Sequence, residues 1–310
     1  MNMNPDGLKI LSLREDPDAL EAIITAQHAA YATDPAIRML LDSIYLEPDR
    51  ERAFSRFLNG LEFRTIRKLL GLFNVGPENG VCEIGGGPGF LAWALAQSGW
   101  GRMNLLEPNP HTVTGTGYLR SRPDGAGVTV HNDLDAWHAG AERYDIVLTK
   151  NCIHHFKNIA QAAASIRQKM NDGGRWFAFR EWFADTPKEL YAQIASHPYC
   201  QPYGLYEWPY PSWHYAEAIE IAGFKLEAVI PAVYANNSLG LYQEDEGDET
   251  VRGVTAQIDG LLVNDRAATV RAFWEEMLRN RFQGGTHRLF TRPQVFVFVR
   301  VPVSEGVRAS

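Results

Sequence analysis

Hydrophobic residues in the first quarter of the chain recur three or four positions apart, which is the spacing of an amphipathic helix. One such face includes Leu20 and Ile24, and a second stretch runs from Phe54 to Phe73. A Gly-Pro pair at 76–77 ends this pattern, because neither residue readily continues a helix. We therefore expect residues 1–75 to form an N-terminal helical cap.

Beyond this cap, short apolar runs alternate with helical segments. The predicted strands are Val81–Ile84, Met103–Leu106, Val128–His131, Tyr144–Thr149 and Arg175–Phe179, with helices at Phe90–Ser98 and Ile159–Met170. This alternation is typical of a parallel sheet that carries helices on both faces. Ligands of such sheets bind at the carboxyl ends of the strands, near the point where the strand order reverses.

The second half of the chain is less regular. Residues 183–215 are rich in tyrosine, tryptophan and proline, and the acidic run at 244–249 is interpreted as a solvated loop. The remaining predicted elements are helices at Ala216–Ala222 and Ala267–Asn280 and strands at Lys225–Ile230 and Val295–Val299. The predicted organisation is a core of residues 76–182, 216–230 and 294–303, with insertions 183–215 and 231–293 that form a lid over the substrate.

Composition and charge restrict the kind of partner. The 310 residues are 45% hydrophobic and 22% charged, with a formal net charge of −7. This composition is globular and lacks the basic character that binds a nucleic-acid backbone. Three cysteines are too few for a disulfide framework and suit a reducing compartment. With no apolar run of ~18 to 20 residues and no secretion signal, we expect a cytoplasmic protein that binds neither membrane nor nucleic acid.

A glycine-rich sequence follows the first predicted strand. Residues 81–90 read V-C-E-I-G-G-G-P-G-F, and such glycines allow a tight turn and the close approach of a ligand to the backbone. The Gly-Lys-Ser/Thr ending of an ATP-hydrolysing phosphate loop is missing. Gly87, Gly89 and Ala92 satisfy the dinucleotide-binding pattern, so an NAD(P)-dependent oxidoreductase is one interpretation of this loop.

The acid that precedes the glycines favours a different ligand. Glu83 would repel a pyrophosphate at this position, whereas it would attract an ammonium group by roughly 1 to 4 kcal/mol. The charge of Glu83 therefore favours a nucleoside cofactor that carries an amino-acid group over a dinucleotide.

At these residues the sequence resembles the class I S-adenosylmethionine-dependent methyltransferases. Their first motif, an acid followed by three alternating glycines, is matched from Glu83 to Gly89, Glu107 resembles their ribose-binding acid, and Asp133 resembles the acid that takes the adenine amino group. The resemblance implies an α/β fold with a doubly wound, Rossmann-like sheet of seven strands, the last antiparallel, and S-adenosylmethionine as cofactor. The implied cofactor-binding residues are Glu83, Gly85, Gly86, Gly87, Gly89, Glu107, Pro108, Asn132, Asp133, Leu134, Lys150 and Asn151.

Methyl transfer from a sulfonium is a displacement, so the protein mainly has to align the acceptor with the methyl group, and a general base is needed only for a protonated acceptor. The candidate bases are His154 and His155, just past the fourth strand; a structural role is the alternative for each. Glu181, at the end of the fifth strand, borders the expected acceptor pocket. Its alternative is a capping or ion-paired role.

The aromatic insertion is the expected lid, because tyrosine and tryptophan can enclose a small ligand and exclude water. Its candidate substrate-binding residues are Tyr199, Tyr203, Tyr206 and Trp213, and the candidates for cofactor contact on the N-terminal helices are Tyr31, Tyr45 and Arg64. His197 and Cys200 share a spacing found in metal sites, but without a second pair we expect no metal.

The leading hypothesis is a methyltransferase that acts on an oxygen, nitrogen or carbon of a small molecule, such as a secondary metabolite. The alternatives are the oxidoreductase and a methyltransferase-like protein that binds the cofactor without methylating. The sequence leaves the oligomeric state open, with a homodimer among the options.

Overall fold

A seven-stranded sheet lies at the centre of the computed structural model, which describes residues 17–197, 208–239 and 245–302. Its strands are β1 (Val81–Ile84), β2 (Met103–Leu106), β3 (Val128–His131), β4 (Tyr144–Lys150), β5 (Met170–Phe179), β6 (Phe224–Ile230) and β7 (Val295–Arg300). The strand order is β3-β2-β1-β4-β5-β7-β6, and β7 runs antiparallel to both of its neighbours. The predicted α/β fold with a mostly parallel seven-stranded sheet is confirmed.

The strand order reverses between β1 and β4. All four residues of β1 are buried, and the register pairs Glu83 with Leu105 of β2 on one side and with Leu148 of β4 on the other. The helices that follow β1 and β4 belong to two different hydrophobic clusters. The chain therefore turns toward opposite faces of the sheet after these two strands. A crevice at the carboxyl ends of β1 and β4 is the expected ligand site of such a sheet.

Helices cover both faces of the sheet and form the cap. They are α1 (Pro17–Ala30), α2 (Pro35–Ser43), α3 (Arg50–Asn59), α4 (Leu61–Leu72), α5 (Phe90–Gln97), α6 (Gly117–Ser121), α7 (Leu134–Ala139), α8 (Ile159–Gln168), α9 (Pro187–Ser196), α10 (Ser212–Ile221), α11 (Glu249–Asn264) and α12 (Arg266–Gln283). Several begin at a side chain that accepts a first-turn N–H, as Asp34 does for α2 and Asn158 for α8. No helix in the described ranges is long and apolar enough to cross a membrane.

The N-terminal helices pack directly on the core. Phe54 and Phe57 of α3 lie in the same hydrophobic cluster as Phe90 and Trp93 of α5, with the Phe54 and Phe90 ring centroids 4.5 Å apart. The guanidinium of Arg122 lies 4.7 Å from the Trp93 ring centroid and 4.9 Å from that of Phe54. The helical N-terminal segment is therefore observed from Pro17 onward. Helices α3 and α4 join the core cluster, whereas Leu20, Ile24 and Leu41 of α1 and α2 belong to a separate cluster.

The predicted lid at 231–293 needs correction. Helix α12 packs against β6, where the Phe273 ring is fully buried 5.6 Å from that of Phe296 in β7. Helix α11, which the sequence interpretation did not predict, contributes Ile258 and Leu262 to the cluster on the opposite face. Residues 249–283 therefore belong to the layers that flank the sheet, because α12 packs on β6 and α11 packs on α12 and on the cap helix α4.

Two boundaries also differ from the sequence interpretation. Helix α8 ends at Gln168 rather than Met170, and β5 begins at Met170 rather than Arg175. The reason is that Met170 pairs with Tyr144 ahead of a bulge in β5, and this pairing draws the residues before Arg175 into the strand. Within the aromatic insertion, Pro187–Ser196 forms α9, which begins at the Thr186 hydroxyl.

Candidate active site

The glycine loop turns at the carboxyl end of β1. The N–H of Gly85 donates to Leu106 O of β2 at 2.9 Å, and the φ of Gly85 is 66°, a left-handed value that a side chain rarely adopts. A Cβ added at Gly85 would lie 2.3 Å from the sulfur of Cys152, which follows β4. Only glycine thus fits where the loop crosses the β1–β4 crevice, and the four predicted glycines lie together there.

Glu107 ties this loop to the end of β2. It is buried, its Oε2 accepts the N–H of Gly87 at 2.8 Å, and its Oε1 accepts the N–H of Asn109 at 2.8 Å. Each carboxylate oxygen has two lone pairs, so it can accept more than one hydrogen bond. Pro108 follows at an exposed position. The predicted ribose acid therefore lies beside the glycine loop.

Glu83 lies beneath the loop. Its Oε2 accepts the N–H of Ala92 in the first turn of α5 at 2.8 Å, and a Cβ added at Gly86 would lie 2.5 Å from the Glu83 carboxyl carbon. Burial raises the pKa of Glu83 to about 7, the N–H of Ala92 and nearby Lys150 act in the opposite direction, and Glu107 adds to the rise. No described residue donates a hydrogen bond to the other carboxyl oxygen. The predicted attraction of Glu83 for an ammonium group stays a prediction.

The predicted adenine loop follows β3. The Asn132 amide donates to Glu107 O and, at 3.2 Å, to the Thr116 hydroxyl. Asp133 begins α7, with its Oδ1 accepting the N–H of Ala136 at 2.7 Å. Leu134 is 60% exposed. One carboxylate oxygen of Asp133 is thus engaged in capping, and an exposed apolar side chain lies next to it.

At the end of β4, two predicted residues meet the cap. Lys150 Nζ lies 2.8 Å from Oε1 of Glu62 on α4, whose Oε2 accepts the Tyr45 hydroxyl at 3.1 Å. Asn151 has a φ of 49°, and its Oδ1 is buried without a hydrogen-bond partner. Tyr45 is therefore the N-terminal tyrosine that reaches the site.

The other two candidates on the N-terminal helices do not reach it. Tyr31 donates to Asp42 at 2.6 Å, within the cap. Arg64 is exposed and donates to Asn59 O at 2.9 Å. Both side chains therefore bond to residues of the cap itself.

Glu181 accepts hydrogen bonds from the loop after β4. It is buried, and its Oε1 accepts the N–H groups of Cys152 and Ile153 at 3.1 and 3.0 Å. Its Oε2 accepts the N–H of His154 at 3.3 Å and faces the His154 Nδ1 at 2.8 Å. Four partners occupy the carboxylate, an arrangement that favours the capping or ion-paired alternative, in which Glu181 holds the loop after β4; its role at the acceptor stays a prediction.

The two candidate histidines lie side by side. Their ring centroids are 4.3 Å apart, and the His154 ring, which is buried, stacks on Trp182 at 5.5 Å. His155 is half-buried in the short turn after β4. Both histidines therefore lie within the loop that Glu181 holds. Their catalytic roles stay predictions.

The predicted lid residues are only partly within the described ranges. Tyr199, Tyr203, Tyr206 and Cys200 lie outside them. Trp213 is half-buried at the start of α10, its ring 5.8 Å from that of His214 and 6.0 Å from the Arg281 guanidinium of α12. Trp213 therefore packs between two helices, and the described contacts do not place it at the glycine loop. No group of three metal-ligating side chains occurs in the described part of the chain.

Two charged residues at the site were missed by sequence reasoning. Glu62 is buried between Leu61 and Phe63, which are buried as well, and a carboxylate between two apolar residues of a helix is the signal that could have found it. Arg180 directly follows β5. Its signal is a charged residue at the carboxyl end of an apolar strand.

These residues fit an S-adenosylmethionine-type cofactor. Only glycine fits the turn at position 85, Glu107 is an acid at the end of β2 that anchors the glycine loop, and the Asn151 Oδ1 is buried without a hydrogen-bond partner among the described residues. These acceptor oxygens thus match the hydroxyl and ammonium groups of such a nucleoside, which donate hydrogen bonds.

A family model described as a methyltransferase domain matches residues 52–229, more than half of the chain. The chain belongs to this methyltransferase family. The resemblance to class I S-adenosylmethionine-dependent methyltransferases is thereby confirmed, together with the cofactor that the family uses. The assignment favours the methyltransferase interpretation over the oxidoreductase. Comparison with curated proteins gives no match.

Solved structures of methyltransferases show a distant likeness to this methyltransferase-family chain. The mitomycin 7-O-methyltransferase MmcR is 15% identical, with 74% of this chain and 65% of that chain covered, at a TM-score of 0.41. The O-methyltransferase of a trans-AT PKS multienzyme of Brevibacillus brevis, in complex with S-adenosyl-L-homocysteine, is 12% identical, with coverages of 76% and 72% and a TM-score of 0.45. The chain thus spans less than two thirds of the mitomycin enzyme, and the assignment rests on the family model and the sheet order.

Proposed function

We propose that this protein transfers a methyl group from S-adenosylmethionine to a small-molecule acceptor. The observation that carries the proposal is the glycine loop at the β1–β4 crevice, bound through the N–H of Gly87 to the Glu107 carboxylate, in a chain of the methyltransferase family. The cofactor supplies an activated methyl group, so alignment is the protein's main contribution, worth as much as about 7 to 11 kcal/mol in well-oriented systems.

In this proposal, different residues of the chain bind different parts of the cofactor. Glu107 accepts hydrogen bonds from the ribose hydroxyls, and Asp133 with Leu134 lines the adenine. Glu83 and Asn151 supply oxygen atoms for the ammonium group. Lys150 is held in place by Glu62. Phe54 and Phe57 of the cap pack against Phe90, which directly follows the glycine loop, and this packing supports a water-poor site.

His154 is the better-oriented of the two candidate bases. Its Nδ1 lies 2.8 Å from the Glu181 carboxylate, and a histidine that donates from Nδ1 to a carboxylate has Nε2 as its basic atom. The Glu181 carboxylate orients this ring and supports its positive charge when a proton is taken up. This role applies to a hydroxyl acceptor, which must lose a proton during transfer.

Glu107→Ala tests the cofactor site. We expect it to weaken binding of S-adenosylhomocysteine by ~1 to 3 kcal/mol, because the ribose loses its acceptor and the loop loses its tie to β2. Isothermal titration measures the affinity, with Glu142→Ala, an exposed acid after α7, as the matched control. An unchanged affinity in Glu107→Ala removes Glu107 from the site.

Transfer itself is tested with methyl-labelled S-adenosylmethionine and a metabolite extract. We expect label in a small product, and less of it with the Glu107→Ala variant at a cofactor concentration that does not saturate that variant. Tight binding of S-adenosylhomocysteine without transfer to any product would support the non-methylating alternative instead. Binding of NADH in place of S-adenosylhomocysteine would contradict the proposal.

A further inference from the structure

Arg180, at the carboxyl end of β5, carries a guanidinium that has no partner among the described residues. It directly follows β5, its backbone is left-handed with a φ of 53°, and its N–H donates to Gln294 O at 2.7 Å. The side chain is half-buried, and across the described ranges no hydrogen bond or ion pair reaches its guanidinium. A partly buried guanidinium normally pairs with an anion.

Glu62, the carboxylate whose charge acts on Arg180, is already engaged by other residues. Burial lowers the pKa of Arg180, and Glu62 and Tyr45 are the groups whose charge acts on it in the opposite direction. Glu62, however, binds Lys150 through one oxygen and Tyr45 through the other. Glu62 is thus paired with Lys150, and no ion pair joins Arg180 to a carboxylate of the described residues.

The position of Arg180 separates it from the cofactor crevice. Lys150 pairs with Phe179, and the N–H of Asn151 donates to Phe179 O at 3.1 Å. Arg180 therefore lies beside Asn151, at the end of a strand one step farther from the β1–β4 crevice than β4. Both residues have left-handed backbones, and such conformations persist where surrounding structure fixes them, often at functional sites.

We propose that Arg180 binds a carboxylate of the methyl acceptor, so the acceptor is an organic acid. This inference rests on the proposed methyl transfer and specifies its substrate class. The planar guanidinium matches a carboxylate with two parallel N–H···O bonds. Glu62 holds Lys150 at the neighbouring strand end, and the carboxylate supplies the anion that Arg180 lacks.

The test compares acids with their uncharged isosteres. Wild-type protein saturated with S-adenosylhomocysteine is titrated with formate, acetate, benzoate and phenylacetate and with the matching amides, and binding is followed by ligand-observed NMR. We expect at least one acid to bind more tightly than its amide. In Arg180→Gln this preference falls at least tenfold, whereas Arg180→Lys retains part of it.

The matched control is Arg120→Gln, an exposed arginine on α6, which we expect to bind the acids as the wild type does. Thermal unfolding and circular dichroism establish that each variant is folded. The inference is overturned if no acid binds more tightly than its amide, or if the preference survives in Arg180→Gln.

The cofactor's own carboxylate is the other source of the same chemistry. S-adenosylhomocysteine carries this group and 5′-methylthioadenosine lacks it, so their affinities are compared in wild type and Arg180→Gln. We expect the ratio to be unchanged by the substitution. A ratio that falls by tenfold or more assigns Arg180 to the cofactor and overturns the inference, whereas a wild type that binds neither nucleoside contradicts the proposed function itself.

Discussion

At the scale of single residues, two buried carboxylates show how hydrogen bonds decide what an acid does. Glu181 accepts from four groups of the loop after β4, and its charge is satisfied within the protein. Glu83 accepts from Ala92, and burial raises its pKa to about 7. The contacts of Glu181 therefore favour a structural role, whereas Glu83 is the acid that a positively charged ligand would stabilise in its ionised form.

The raised pKa of Glu83 predicts a pH dependence of stability without cofactor. The folded state holds a proton that the unfolded chain releases near 4.5. The stabilising contribution is therefore complete below pH 4.5 and is lost, by about 3 kcal/mol at most, as the pH rises to about 7. We expect Glu83→Gln, which does not ionise, to gain stability relative to the wild type over this range.

Denaturant unfolding at several pH values measures that difference, with Glu142→Gln, an exposed acid, as the control. A difference between Glu83→Gln and the wild type that stays constant with pH would contradict the raised pKa.

The sequence sufficed to locate the site residues that directly follow strands. The glycines after β1 and Glu107 after β2 lie where the motif places them, because strand ends of a parallel sheet converge on one edge. The role of Glu181 could not be read in this way, since its donors lie in the loop after β4. The pair between Lys150 and Glu62 joins a strand to a cap helix, and no local pattern encodes such a contact.

At the scale of elements, α11 and α12 show how an apparent insertion becomes part of the core. In α11, Val254, Ile258 and Leu262 recur every four residues, which is a helical signal. The acidic residues ahead of it drew the interpretation toward a solvated loop. The seven strands were predictable because each is a short apolar run bounded by turn residues, whereas the packing of α11 and α12 depends on which face of the sheet remains uncovered.

Helix α12 provides a matched pair of phenylalanines to test this packing. Phe273 is fully buried and Phe282 is 73% exposed. We expect Phe273→Ala to lower the free energy of unfolding by ~3 to 5 kcal/mol through the cavity it leaves, and Phe282→Ala to change it by less than about 0.5 kcal/mol. Urea denaturation measures both. Equal small effects would indicate that α12 is a lid after all.

At the scale of the whole molecule, helices α3 and α4 of the cap share one hydrophobic cluster with the core, whereas α1 and α2 contribute to a separate cluster. Phe57 and Phe63 of the cap belong to the cluster that also contains Phe90 of α5 and Val295 of β7. Because the cap has no separate interface of its own there, it cannot leave without exposing apolar surface of the core.

Cap and core are therefore expected to unfold together. In hydrogen exchange under mild denaturant, amides of α3 and α4 should become exposed with those of β1 and β4, at one free energy. Phe57→Ala should lower that free energy equally for both groups. Faster exchange of the cap alone would show that it opens independently of the core.

Strand β7 has a consequence for how the polypeptide is made. It lies between β5 and β6, although it follows both in the chain. While the nascent chain leaves the ribosome, β5 and β6 emerge with no strand to join them, and each presents an unpaired edge on which other chains can assemble. Chaperone dependence during translation should therefore be greatest in the interval before Val295 appears.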